Sequence, residues 1–146
     1  MVANFLRIFP VLALLAGGVA CSGGTDAAPT NSGPESPAGR AYISTTVEGS
    51  HIPGDGPLRL TFADAGRLSA NAGCNTLMGT ADLADHTLRT GPLAGTRMAC
   101  AGDRAGADDW ATALLQANPS WKLDGETLTL ATADRTVTLR ETEDAH

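Results

Sequence analysis

Alternating apolar and polar residues around turn signals constrain the fold of this chain more than any other feature. In PLRLTFA, Leu58, Leu60 and Phe62 alternate with Arg59 and Thr61, the period of two expected of a half-buried strand. The turn Asp64-Ala65-Gly66 leads into RLSAN, so the two segments read as a hairpin. WKLDGETLTL places Trp121 and Leu123 before Asp124-Gly125, with Leu128 and Leu130 after it. An Asp-Gly pair between alternating segments is a strong local hairpin signal. RTVTLR continues the alternation, with Val137 and Leu139 inward and threonines outward. AYISTTVE reads as a first strand and HTLRTGPL as a weaker one.

Helical spacing occurs once. GADDWATALLQAN sets Trp110, Ala113, Leu114 and Ala117 on one face, and the charges of Asp108 and Asp109 suit a helix N-terminus. Asn118-Pro119 ends the segment, because the residue before proline avoids the helical region. Six to eight short strands with one helix define an α+β, mostly antiparallel domain. One helix of this length cannot cover the apolar face of such a sheet, so the sheet is expected to curl into a partial, cracked barrel with the helix packed on one side.

The chain begins differently. After Arg7, residues 8–20 carry no charge; as a helix they would span roughly 20 Å, short of the ~30 Å hydrocarbon core. Residues 1–20 therefore read as an export signal. Gly17-Gly18-Val19-Ala20 directly precede Cys21 and resemble the end of a bacterial lipoprotein signal, which implies a lipidated Cys21 as the first mature residue and the site of membrane attachment. Ordinary secretion with cleavage after Gly18-Val19-Ala20 is the alternative. Residues 22–40 contain no leucine, isoleucine, valine, methionine or aromatic side chain and have little to bury, so 21–40 are expected to be a disordered tether. That leaves 41–146 as one domain, held outside a membrane and expected to be monomeric.

The net charge of -6 becomes -7 once Arg7 leaves with the signal. No basic stripe is present to neutralise phosphates, so nucleic acid is not an expected partner. There are three cysteines. Assigning Cys21 to lipid leaves Cys74 and Cys100, and an oxidising compartment makes a disulfide their default state. Closing that loop would stabilise the fold by about 3.5 kcal/mol through chain entropy.

AGCNTLMG (Gly73, Cys74, Asn75, Gly79), LAGTRMAC (Thr96, Met98, Cys100), the DDW that opens the helix and the closing LDGETLTL together resemble the META domain, the family of the bacterial heat-shock protein HslJ, in the lipoprotein branch common in actinobacteria. The resemblance implies a small β-rich domain with one helix and an envelope role linked to stress or antibiotic tolerance. It brings no catalytic residues with it. Where many relatives carry tryptophan near the first strand, this chain has Tyr42, and where many carry glutamate before the helical aromatic it has Asp108 and Asp109.

A catalytic Cys74 would need a base, and His51, His86 and His146 sit in turn-like or terminal sequence. A zinc site using Cys74, Cys100, His86 and a carboxylate lacks the close ligand spacing that preorganises such sites. No metal or cofactor is expected. Asn75 and Gly79 read as turn residues, with ligand contact by Asn75 as the sharper alternative. Trp110 reads as a core anchor or a cavity wall, and Arg97 could pair with Asp109 across the helix start. The sequence reading is a non-enzymatic, membrane-tethered module that binds another envelope component. A carrier of a lipid or other apolar ligand stands second and a cysteine-dependent hydrolase third.

Overall fold

The computed structural model describes residues 35–143. The leader, Cys21, most of the expected tether and His146 lie outside the described residues. Nine strands form one antiparallel sheet: β1 (Ala41–Gly49), β2 (Arg59–Ala63), β3 (Arg67–Asn71), β4 (Thr76–Asp82), β5 (Arg89–Thr90), β6 (Ala94–Gly95), β7 (Ser120–Asp124), β8 (Thr127–Ala131) and β9 (Arg135–Thr142). The spatial order is β5-β4-β3-β2-β1-β9-β8-β7, with β6 also on β4. The helix α1 spans Ala107–Gln116. This is the expected α+β half-barrel.

Alternation sets the inner face. Leu58, Leu60, Phe62, Leu68, Leu128, Leu130, Val137 and Leu139 are all buried, and they come from facing registers such as Leu128↔Leu139 and Leu130↔Val137. The first strand reads less cleanly because its register shifts between Ser44 and Thr46. Tyr42 and Ser44 lie in register with Glu141 and Leu139, whereas beyond the bulge it is Val47 that faces Val137. One extra residue reverses the side-chain phase.

Several local expectations are corrected. The hairpin after Trp121 turns one residue later than expected: Asp124 pairs with Thr127, and Gly125 takes a φ of +59° at the first loop position, where glycine is tolerated without steric cost. The buried stripe of α1 is Ala107, Trp110, Ala111, Leu114 and Leu115, while Ala113 and Ala117 are exposed. The tether does not reach Arg40 as free chain. Pro37 is fully buried, the Arg40 amide donates to the Pro37 carbonyl at 3.2 Å, and the Arg40 carbonyl accepts from Phe62 at 2.9 Å.

The sheet nearly closes on itself. Between β5 and β7 the ladder is reduced to a bridge at Thr87 and Ser120, backed by the Leu88 amide donating to the Pro119 carbonyl at 2.8 Å. Trp121 plugs this crack: its Nε1 donates to the Leu83 carbonyl at 3.0 Å, and its ring lies 4.6 Å from that of His86. From the other side Trp110 donates through Nε1 to the Ser50 carbonyl at 2.9 Å, under the Arg135 guanidinium, 5.2 Å from the ring centre. Both tryptophans are thus core anchors whose polar edges are satisfied, as buried indoles require. The buried apolar side chains of the sheet and of α1 form one cluster.

Candidate functional site

Three of the four sequence blocks, AGCNTLMG, LAGTRMAC and DDW, meet at the start of α1. Gly73 has a φ of +114°, which glycine adopts without strain, and its amide donates to the Asn71 Oδ1 at 2.8 Å. This turn delivers Cys74 and Asn75 to the start of β4. Cys74 and Cys100 are joined as a disulfide with Cα atoms 5.9 Å apart, and both are half-buried. The loop between β6 and α1 is thereby tied to the β3–β4 connection.

Asn75 is the organising residue. It is the one buried polar side chain among the described residues, 5% exposed. Its Oδ1 accepts from the Thr96 hydroxyl at 2.8 Å and from the Met98 amide at 2.7 Å. Its Nδ2 donates to the Met98 carbonyl at 3.0 Å and to Asp108 Oδ2 at 2.7 Å, with Cys100 Sγ at 3.3 Å and Cys74 Sγ at 3.6 Å. The Asn75 amide donates to Asp108 Oδ1 at 2.9 Å. Neither sequence reading of Asn75 describes this. Its φ is not positive, and all of its polar atoms are spent inside the protein.

Gly79 is not a turn residue either. It lies within β4 opposite Leu68, and a Cβ there would meet Leu93 Cδ2 at 2.8 Å and the Pro92 carbonyl at 3.0 Å. The glycine lets the 91–95 segment cross β4 closely. This is the backbone approach that a glycine in a strand permits.

The helix-dipole role expected of Asp108 leaves out its main contacts: the carboxylate ties the helix start to Asn75 and lies 3.5 Å from Cys100 Sγ. Asp109 is exposed. It forms no ion pair with Arg97, since the ion pairs among the described residues are Arg40–Glu141, Arg135–Asp134 and Arg140–Glu126. The zinc set is also redrawn. His86 is committed to Trp121, and the sulfurs of Cys74 and Cys100 gather with Asp108 instead. Arg104 flanks the site, donating to the Gly73 carbonyl at 3.2 Å. Among the described residues, the side chains beside the two sulfurs are Asn75 and Asp108 rather than a histidine, and with the disulfide they brace the loop.

An antiparallel half-barrel with one helix and a cross-braced loop at the helix N-terminus defines a small α+β domain. The META domain family model matches residues 36–145, and the chain belongs to the META domain family. Among solved structures, the chain is similar to a Burkholderia xenovorans protein determined by NMR, at 21% identity and a TM-score of 0.58, over 73% of this chain and 83% of that one. It is similar to a second NMR structure at 24% identity and a TM-score of 0.56, over 73% of this chain and 95% of the other. These likenesses establish the fold. No curated protein matches the chain.

Proposed function

We propose that this is a non-enzymatic recognition domain of the cell envelope, tethered through a lipidated Cys21 and presenting the 96–100 loop to another envelope component. The observation that carries the reading is the contrast within that loop. Its backbone is held from inside by Asn75 and the disulfide, while Arg97 is exposed and Met98 is 63% exposed. A second methionine, Met78, is 52% exposed on β4. Methionine is ordinarily a core residue, yet both methionines of the domain face solvent on or beside a rigid loop. Ordering costs are already met in such a loop, which favours binding through it.

The filled interior supports recognition over carriage. The sheet's inner face and α1 share one cluster of buried apolar side chains, and the openings at the β2–β3 turn and beside the disulfide are grooves at the surface.

The test is a photo-crosslinking residue placed at Met98, with one at Thr129 as reference, in cells expressing the full chain. A discrete product from position 98 and none from 129 is expected. Native mass spectrometry of detergent-extracted protein decides against the carrier: a reproducible apolar adduct beyond lipid on Cys21 would overturn the recognition reading.

A further inference from the structure

The chemistry around Asn75 Nδ2 is out of balance. A primary amide has two hydrogens to donate, yet four acceptors converge on it: Asp108 Oδ2, the Met98 carbonyl, Cys100 Sγ and Cys74 Sγ. The amide cannot satisfy all of these electron-pair donors, which lie side by side around it. Two of those donors are sulfurs and one is a carboxylate oxygen, and the ligand atoms of Cys74, Cys100 and Asp108 all lie within 4.8 Å of one another.

We propose that Cys74, Cys100 and Asp108 form a redox-gated site for a thiophilic divalent cation of the zinc type. The site is closed while the sulfurs are bonded to each other and open when they are reduced. Thiol–disulfide exchange with a dithiol donor supplies the two electrons and two protons: the Cys74–Cys100 bond breaks, two thiols form, and the donor leaves as its own disulfide. The cation then displaces both thiol protons into solvent and takes two thiolates and the Asp108 carboxylate as ligands.

One edge of the site already suits this class of ion, and reduction frees the two sulfurs to part and complete it. With zinc–sulfur and zinc–oxygen bonds of about 2.3 and 2.0 Å, a tetrahedral sulfur-to-oxygen edge is about 3.5 Å. Cys100 Sγ and Asp108 Oδ2 are 3.5 Å apart. Asn75 supplies the outer support that orients such ligands, since it already fixes both oxygens of Asp108. A shallow groove of about 300 Å³ lined by Gly73, Met98, Ala101 and Arg104 reaches both cysteines and leaves the fourth position open to water. The soft sulfur pair selects zinc-type ions over calcium or magnesium. The site shares the 96–100 loop with the recognition reading but uses its inner face and not Arg97 or the Met98 side chain, the cation replacing the disulfide as the clasp of the loop.

The experiment titrates Co²⁺ and Zn²⁺ into the full chain, once oxidised and once treated with a phosphine reductant, with far-ultraviolet circular dichroism recorded alongside. One equivalent of Co²⁺ with thiolate-to-cobalt charge-transfer bands is expected in the reduced, folded chain and none in the oxidised chain. Asp108→Asn should weaken binding at least tenfold. In the wild-type chain, zinc-edge X-ray absorption should count two sulfur and two oxygen or nitrogen ligands, a readout that does not depend on the variant folding. No binding to the folded reduced chain, binding only after loss of the fold, a four-sulfur shell, or unchanged affinity in Asp108→Asn would each overturn the proposal.

Discussion

Asp108 grips Asn75 with both carboxylate oxygens, one on the backbone amide at 2.9 Å and one on the side-chain amide at 2.7 Å. These residues are 33 positions apart, and their contact joins the first turn of α1 to the start of β4. A buried amide in this position has no substitute of equal shape that both donates and accepts.

Asn75→Ala should therefore lower stability by about 2–3 kcal/mol, because the Met98 amide, the Thr96 hydroxyl and Asp108 each lose a buried or half-buried partner. Asn75→Asp should cost at least as much at neutral pH, since it sets a second carboxylate against Asp108. Urea denaturation checks both, and a loss under 0.5 kcal/mol, about the level of an ordinary surface substitution, would refute the bracing role.

Removing both sulfurs, Cys74→Ser with Cys100→Ser, should cost about 3 kcal/mol through the entropy of the released loop. The midpoint of chemical denaturation is the readout. The cost should vanish when the wild-type chain is compared under reducing conditions without metal.

Gly79→Ala should destabilise by about 1–3 kcal/mol, because its methyl group would fall 2.8 Å from Leu93 and 3.0 Å from the Pro92 carbonyl. Gly102→Ala would meet nothing within 4 Å, but its φ of +66° strains any side chain, so the sharper control is Ala113→Ser on the exposed face of α1. Thermal melting should separate the two, with Ala113→Ser near wild type.

Tyr42 is the only tyrosine of the chain, and its hydroxyl is buried without a hydrogen-bond partner. Burial pushes the phenol above its ordinary value, and the nearby Arg40 only partly offsets this. The neutral form is thus favoured by folding. The stabilisation is complete below the unfolded phenol value of about 10 and is lost as pH rises through the higher folded value. Absorbance at the phenolate band should rise at a higher pH in the folded chain than in the urea-denatured chain. Tyr42→Phe should be neutral or stabilising by up to about 1 kcal/mol, since it deletes an unpaired polar atom.

At Asp134, the hydrogen bond from Arg135, helped by Thr132, holds the carboxyl below its ordinary value. The contribution is present above the unfolded carboxylate value and fades as pH falls through the lower folded one. Carboxyl-carbon NMR titration should show Asp134 still ionised after other exposed carboxylates have protonated, and Arg135→Gln should move its titration back toward the ordinary range.

The hairpins of β2–β3 and β7–β8, the last strand and the single helix were legible in the residues themselves, because alternation and helical spacing are local and each side chain carries its own signal. The strand β4 was not legible as one. Its inward positions after Leu77 are Gly79 and Ala81, too small to mark a buried face. The bulge in β1 hid its phase for a related reason, since one unpaired residue breaks a count of two. The pairing partners of Cys74 and Cys100 followed from counting cysteines and from the expected compartment. Asp108, Arg135 and the hub at Asn75 carry no local mark. Their roles come from contacts between positions 25 to 33 residues apart, and no repeat or spacing encodes a meeting that exists only once the sheet has curled and the helix has docked. Local periodicity dictated which segments become strands and helix; the convergence of a loop, a strand start and a helix end around one amide arose from closure of the barrel.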